Sequence, residues 1–198
     1  MDHYYTSEPS VKHETRVVEV HARATALELK TDSGVFSKKG LDYGTRLLIE
    51  TVRLPEAGTI VDLGCGYGPV AGVLLRVYPK TRWVLLDVNR RAVQLAQANL
   101  GGFEQRCETH VSDGFAAVPA LVADAVLLNP PIRAGKAVVY RLFAEARDHL
   151  KPGGELWIVI QKKQGAASAR STLEALFSRV ELCEKSGGYH VYRSVTSF

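Results

Sequence analysis

The sequence predicts an α/β fold: a mostly parallel, seven-stranded sheet with helices on both faces, an antiparallel hairpin at its C-terminal end and a small N-terminal β extension. Three observations predict it. From Gly58 onward, short β-rich apolar runs alternate with helical patterns, as crossover connections between parallel strands require. Runs such as Ala125-Val126-Leu127-Leu128 are apolar without alternation, which fits strands covered on both faces. Finally, Gly187-Gly188 separates two β-rich runs and supplies the positive φ of a tight hairpin turn.

Taken in order, Arg16–His21 and Thr25–Lys30 alternate with period two and read as strands of the extension, which covers residues 1–57. Asp42–Val52 reads as a helix with Asp42 at or near its N-cap, where a short carboxylate accepts from the free N–H groups of the first turn. The core, residues 58–198, offers strands at Thr59–Leu63, Arg82–Asp87, Cys107–Val111, Ala123–Leu128 and Glu155–Ile160. Between them apolar residues recur at three and four, as in Val70, Leu74 and Val77 or Val138, Leu142 and Ala146. A last helix over Ala166–Phe177 precedes the hairpin strands Val180–Lys185 and Tyr189–Val195. Extension and core together are read as one domain.

Bulk properties narrow the class. The chain has 198 residues, 46% of them hydrophobic and 23% charged, ordinary for a globular domain. No run approaches the ~20 apolar residues of a membrane span, and Met1-Asp2-His3-Tyr4-Tyr5 lacks a secretion pattern, so a cytoplasmic protein is expected. The 3 cysteines, Cys65, Cys107 and Cys183, show no CxxC spacing, and the 6 histidines show no ligand spacing, so neither disulfides nor a metal is expected. A net charge of +4 favours an anionic partner.

Ile60-Val61-Asp62-Leu63-Gly64-Cys65-Gly66-Tyr67-Gly68-Pro69 runs from an apolar strand straight into a helix, with Pro69 suited to the first turn. Alternate glycines let the backbone bend sharply and remove the Cβ atoms that would hold a ligand off the strand ends. A dinucleotide fingerprint beginning at Gly64 would want glycine where Pro69 stands. The GxGxG form instead resembles motif I of class I methyltransferases, Rossmann-like enzymes that use S-adenosylmethionine (SAM). Asp87 ends the next strand, 21 residues after Gly66, and is placed to accept from ribose hydroxyls. The resemblance further implies that Asp113 accepts from the adenine amine and Asp62 supports the methionine end. Cys65, Val88 and Gly114 complete the expected cofactor set with Gly64, Gly66 and Gly68.

Asn129-Pro130-Pro131-Ile132 follows the fourth core strand, at the same carboxyl edge of the sheet. An exocyclic amine conjugated to a base is a poor nucleophile because its lone pair is delocalised. Two acceptors placed on its N–H bonds hold it and favour tetrahedral geometry, which frees that pair. Asn129 offers a side-chain carbonyl and Pro130 a backbone carbonyl, and the prolines restrict the directions in which these point. With an electrophile as strong as a sulfonium, alignment recovers up to ~7–11 kcal/mol and no general base is required.

With these motifs the chain resembles the RsmC/RlmG group of ribosomal RNA guanine methyltransferases, especially its small single-domain bacterial members. The likeness includes Gly34-Val35-Phe36-Ser37, Gly40-Leu41-Asp42, Gly44, Asp62 to Gly68, Asn129 to Ile132, Lys151-Pro152-Gly153-Gly154, Trp157 and Gln161 to Ala166. It implies that Phe36 and Ser37 lie over the active site. It also implies the 2-amino group of guanine as target, since enzymes acting on adenine or protein glutamine usually carry an aromatic residue where this chain has Ile132. Larger relatives carry an additional N-terminal domain for which this chain has no room. The partner expected is ribosomal RNA or a ribosomal subunit, its phosphates met by a basic rim of Lys38, Lys39, Arg133, Lys136, Lys162 and Lys163. The target base would be unpaired or flipped. Other readings stay open: methylation of a protein amide or small molecule, a nicotinamide-dependent oxidoreductase, or a non-catalytic RNA-binding module.

Overall fold

The computed structural model describes residue 12 and residues 14–37 and 40–197. Strands β1 (Arg16–Ala22) and β2 (Thr25–Thr31) form a separate antiparallel ribbon, followed by α1 (Tyr43–Thr51). The core then alternates β3 (Ala57–Leu63), α2 (Pro69–Val77), β4 (Lys80–Asp87), α3 (Arg90–Asn99), β5 (Cys107–Val111), β6 (Ala123–Leu128) and α4 (Lys136–Asp148). It ends with β7 (Leu150–Gln161), α5 (Ala166–Leu176), β8 (Arg179–Ser186) and β9 (Tyr189–Val195). The seven-stranded sheet has the order β5-β4-β3-β6-β7-β9-β8. Neighbours pair in parallel as far as β7, and β9 and β8 close it antiparallel. This is the fold read from the sequence; β3, β4 and β7 merely begin earlier than the apolar pattern indicates, with exposed residues at their entries.

Alternation along the strands divides the core in two. Ile60, Leu85, Ala125, Leu127 and Trp157 face the side covered by α1, α2, α3 and the ribbon. Val61, Leu63, Leu86, Val126, Leu128 and Ile158 face α4 and α5. On the first side Asn99 stitches the ribbon to the core: its amide donates to the Lys30 and Tyr67 carbonyls at 2.8 and 2.9 Å, while its carbonyl accepts from Lys30 N. The ribbon turns at Arg23-Ala24, both with positive φ (51° and 55°). Those L residues are held there because Arg23 reaches across to the end of α1, donating from Nε to the Ile49 carbonyl at 2.8 Å and from Nη2 to that of Val52.

Strand register sets the height at which each chain segment leaves the sheet. Leu63 pairs with both Leu86 and Leu128, so the next residues, Gly64, Asp87 and Asn129, leave three adjacent strands at one level. Chain order reverses at β3: the sequence proceeds outward to β4 and β5, then returns to β6 on the other side. Such a reversal opens a crevice at the carboxyl ends of the strands.

Candidate active site

That crevice is a cavity of about 540 Å³, within the range of small-molecule sites. One end is made by the glycine bend. Gly64, Gly66 and Gly68 all have positive φ (75°, 55° and 88°), conformations that L side chains rarely take. The bend is tied down from behind: Gly64 N and Cys65 N donate to the Leu86 carbonyl at 2.7 and 3.1 Å. A Cβ at Gly68 would stand 3.3 Å from that of Ala96, so this glycine also lets α2 approach α3. Pro69 opens α2 at its first turn.

Asp87 faces the bend from β4. Its Oδ2 accepts from Gly66 N and its Oδ1 from Asn89 N, each at 2.8 Å. Burial raises its pKa to about 6, against the pull of those two donors. Asp62 is buried beside it and raised to about 7, first by burial and then by the charge of Asp87. Asp62 Oδ2 has no hydrogen-bond partner among the described residues. A buried oxygen left without a donor is costly, and one on a cavity wall is a receptor for a donor or cation brought by a ligand. Val88, Ser112 and Gly114 line the same end. Asp113 itself points outward: it is exposed, ion-paired to Arg141 at 2.6 Å, and absent from the cavity wall.

The other end is made by the tetrapeptide. Asn129, Pro130, Pro131 and Ile132 all line the cavity. Pro131 sits at φ −75° and ψ 75°, and Ile132 N donates to the Pro130 carbonyl at 2.9 Å, an inverse γ-turn that fixes the direction of that carbonyl. One lone pair of the Pro130 oxygen is thereby used and one is left. Asn129 donates through Nδ2 to Thr45 Oγ1 at 3.0 Å and to Asp42 Oδ2 at 3.2 Å. Asp42 is the N-cap of α1, accepting from Thr45 N at 3.0 Å.

The lid over both ends comes from the extension. Gly34 to Ser37 line the cavity, with Phe36 37% exposed at its mouth. This strap is fastened to α3: Asn89 donates to the Gly34 carbonyl at 2.9 Å and Arg91 to that of Ser33 at 2.5 Å. Of the basic residues, Arg133 lines the cavity, whereas Lys136, Lys162 and Lys163 are exposed outside it. Lys38 and Lys39 lie outside the described residues. Sequence reasoning missed Thr45 and Tyr189 on the wall, because neither belongs to a local motif and each arrives from a distant element, and it quoted Gln161 and Gln164 in the family likeness without giving them a place in the site. Outside the wall, burial and then the charges of Lys185 and Lys162 lower the pKa of His190.

The profile of the methyltransferase small domain family matches residues 26–193, from the ribbon to the last strand. The chain belongs to this family. Among relatives, this family member is 45% identical to the uncharacterized protein YbxB of Bacillus subtilis over 98% of both chains. It is 35% identical to the ribosomal RNA small subunit methyltransferase C of Cronobacter sakazakii over 85% of this chain and 49% of that one. The chain thus spans about half the length of the ribosomal RNA methyltransferase it matches. Among solved structures, the 16S rRNA N2 methyltransferase RsmC of T. thermophilus, in complex with AdoMet and guanosine, superposes with a TM-score of 0.82 at 23% identity. That match covers 95% of this chain and 52% of that one, and shows a common class I methyltransferase fold. No helix among the described residues is long and apolar enough to cross a membrane. Among the same residues no cluster of three or more His, Cys, Asp or Glu could hold a metal.

Proposed function

We propose that this chain is a SAM-dependent methyltransferase acting on an exocyclic amine, the 2-amino group of a guanine in ribosomal RNA. One observation carries the reading: a single cavity is lined both by the glycine bend and by Asn129 and Pro130. The residues at the bend suit SAM. Asp62 offers an unpartnered buried oxygen to the ammonium of the methionine end, and Asp87 retains lone pairs for ribose hydroxyls. A buried and a half-buried carboxylate, both with raised pKa values, are an environment in which the ammonium and sulfonium of the methionine end would favour the ionised forms. Cys65, Gly64, Gly66, Gly68 and Val88 shape the floor, and Gly114 extends it towards the adenine. Asp113, exposed and paired with Arg141, is left out of this set, and its neighbours Ser112 and Gly114 line that end instead.

Bound there, SAM supplies a methyl group on a positively charged sulfur that needs no further activation. The rest falls to the protein. Asn129 Oδ1 and the Pro130 oxygen accept the two N–H bonds of the amine, orient its lone pair towards the bend and exclude water from that line. Pro131 locks the turn, and Ile132 gives an apolar contact to the base. Phe36 stacks on its face from the strap, with Ser37 at the edge. Arg133, Lys136 and Lys162 meet phosphates, joined by Lys38 and Lys39. The relatives from Cronobacter sakazakii and T. thermophilus are ribosomal RNA methyltransferases, which supports this partner.

The test is to incubate the pure protein with labelled SAM and ribosomal RNA or ribosomal subunits lacking modification, then identify the nucleoside by mass spectrometry. Label in 2-methylguanosine is expected. Label in another nucleoside, in protein, or in neither overturns the guanine assignment, and failure to bind SAM or its analogues overturns the cofactor.

A further inference from the structure

A carboxamide works as an acceptor only when its oxygen, not its nitrogen, faces the amine. The two orientations of Asn129 differ by a half-turn about one bond, so something must choose between them. Around Asn129 Nδ2 stand two groups, Asp42 Oδ2 at 3.2 Å and Thr45 Oγ1 at 3.0 Å. Asp42 Oδ2 also accepts from Thr45 N at 3.0 Å and from Thr45 Oγ1 at 3.3 Å. The Thr45 hydroxyl proton is thus committed to Asp42, and what it turns towards Asn129 is a lone pair. A carboxylate offers only acceptors as well. An amide oxygen placed there would meet two other oxygens, while an NH2 group satisfies both. Asn129 Oδ1 takes no hydrogen bond from any described residue.

We propose that Asp42, acting through Thr45, is a positioning residue that dictates which end of the Asn129 amide faces the target amine. This rests on the reading of Asn129 as the amine acceptor. The contact spans 87 residues of sequence and uses the N-cap of α1, whose geometry the helix itself fixes. Gly44 makes the approach possible: a Cβ there would stand 3.1 Å from Asp42 Oδ2 and 2.9 Å from the Tyr189 ring.

The experiment is a double-mutant cycle with three variants, Asp42→Ser, Thr45→Val and the two combined, assayed for methyl transfer to ribosomal RNA and for SAM affinity. The cap and the contact to Asn129 share one oxygen, Asp42 Oδ2, so the informative change keeps a cap and shortens the side chain. Serine caps helices as well as aspartate does, so Asp42→Ser keeps α1 intact while withdrawing the carboxylate from Asn129 and freeing the Thr45 hydroxyl to donate. Its kcat should fall about 10–100-fold with SAM affinity held within about threefold. Thr45→Val leaves the carboxylate facing Asn129 and should fall less. Because both act on one amide, the combination should lose no more than about threefold beyond Asp42→Ser alone. Unchanged kcat in Asp42→Ser, or strictly additive losses, overturns the proposal. If the wild type transfers methyl to no RNA, the proposed function falls instead. The side-chain amide resonances of Asn129 in 15N-labelled protein then decide the positioning role without substrate: they should shift and exchange faster in Asp42→Ser, and identical resonances overturn it.

Discussion

The two ends of the cavity are built on different principles. The cofactor end is local: one bend within Gly64–Gly68, one carboxylate before it and one at the end of the adjacent strand, joined by backbone hydrogen bonds. The acceptor end is assembled from afar: Asn129 after β6 leans on Asp42 and Thr45 at the start of α1, and Gln161 and Tyr189 come from β7 and β9. The cofactor end therefore depends on glycine conformations and buried charge, and the acceptor end on side-chain hydrogen bonds between elements. Damage to one should spare the other, and that separation can be broken experimentally.

The largest effect is expected from Asn129→Ala. Loss of a preorganised polar contact to the reacting group should lower the transfer rate about 10²–10³-fold while SAM affinity, measured by calorimetry, stays within a few-fold. Equal loss of both would mean that the ends are not independent. Next, Asp87→Ala removes the acceptor for Gly66 N and Asn89 N together with the proposed acceptor for the ribose, and should weaken SAM binding about 10–100-fold. Its rate at saturating SAM should approach that of the wild type.

A pH effect should then be confined to the cofactor end. Asp62 and Asp87 bind protons more tightly folded than unfolded, with values of about 7 and about 6 against an ordinary 3.8. Their contribution to stability is fully present below about pH 4 and is lost as pH rises through about 6–7. A cationic ligand favours the ionised pair, so SAM affinity should rise about tenfold from pH 5 to pH 8, and Asp62→Asn should flatten that rise. Flat wild-type titrations would place the ammonium elsewhere. The smallest effect is expected from Asp113→Ala, which breaks an exposed ion pair with Arg141 and should change SAM affinity no more than about threefold. A loss as large as that of Asp87→Ala would restore a direct carboxylate contact with the adenine.

The same contrast explains what could be read from the sequence. Parallel strands covered on both faces leave apolar runs, so β3 to β7 and the terminal hairpin were legible, and so was a bend whose glycines alternate through a strand-to-helix junction. Asn129 was legible because two prolines mark it. Its supports were not: Asp42 announces itself as a helix cap and as part of the family likeness, and nothing near residue 42 or 45 points to residue 129. Thr45 and Tyr189 enter the wall through helix packing and sheet order, which no short window contains. Asp113 shows the converse. It follows β5 by two residues, beyond the level of Asp87, and Arg141, 28 residues on, claims its carboxylate.

Because Leu63, Leu86 and Leu128 are paired side by side, Gly64, Asp87 and Asn129 keep their spacing by virtue of the hydrophobic interior beneath them. Side chains alternate faces along a strand, so sliding β6 by a single position would expel Val126 and Leu128 from one layer and carry Asn129 to the opposite side of the sheet. The spacing of donor and acceptor is thus guarded by oil, and polar contacts are left to set only their orientation. New target preferences can arise in the loops above without any retuning of the distance across which the methyl must travel.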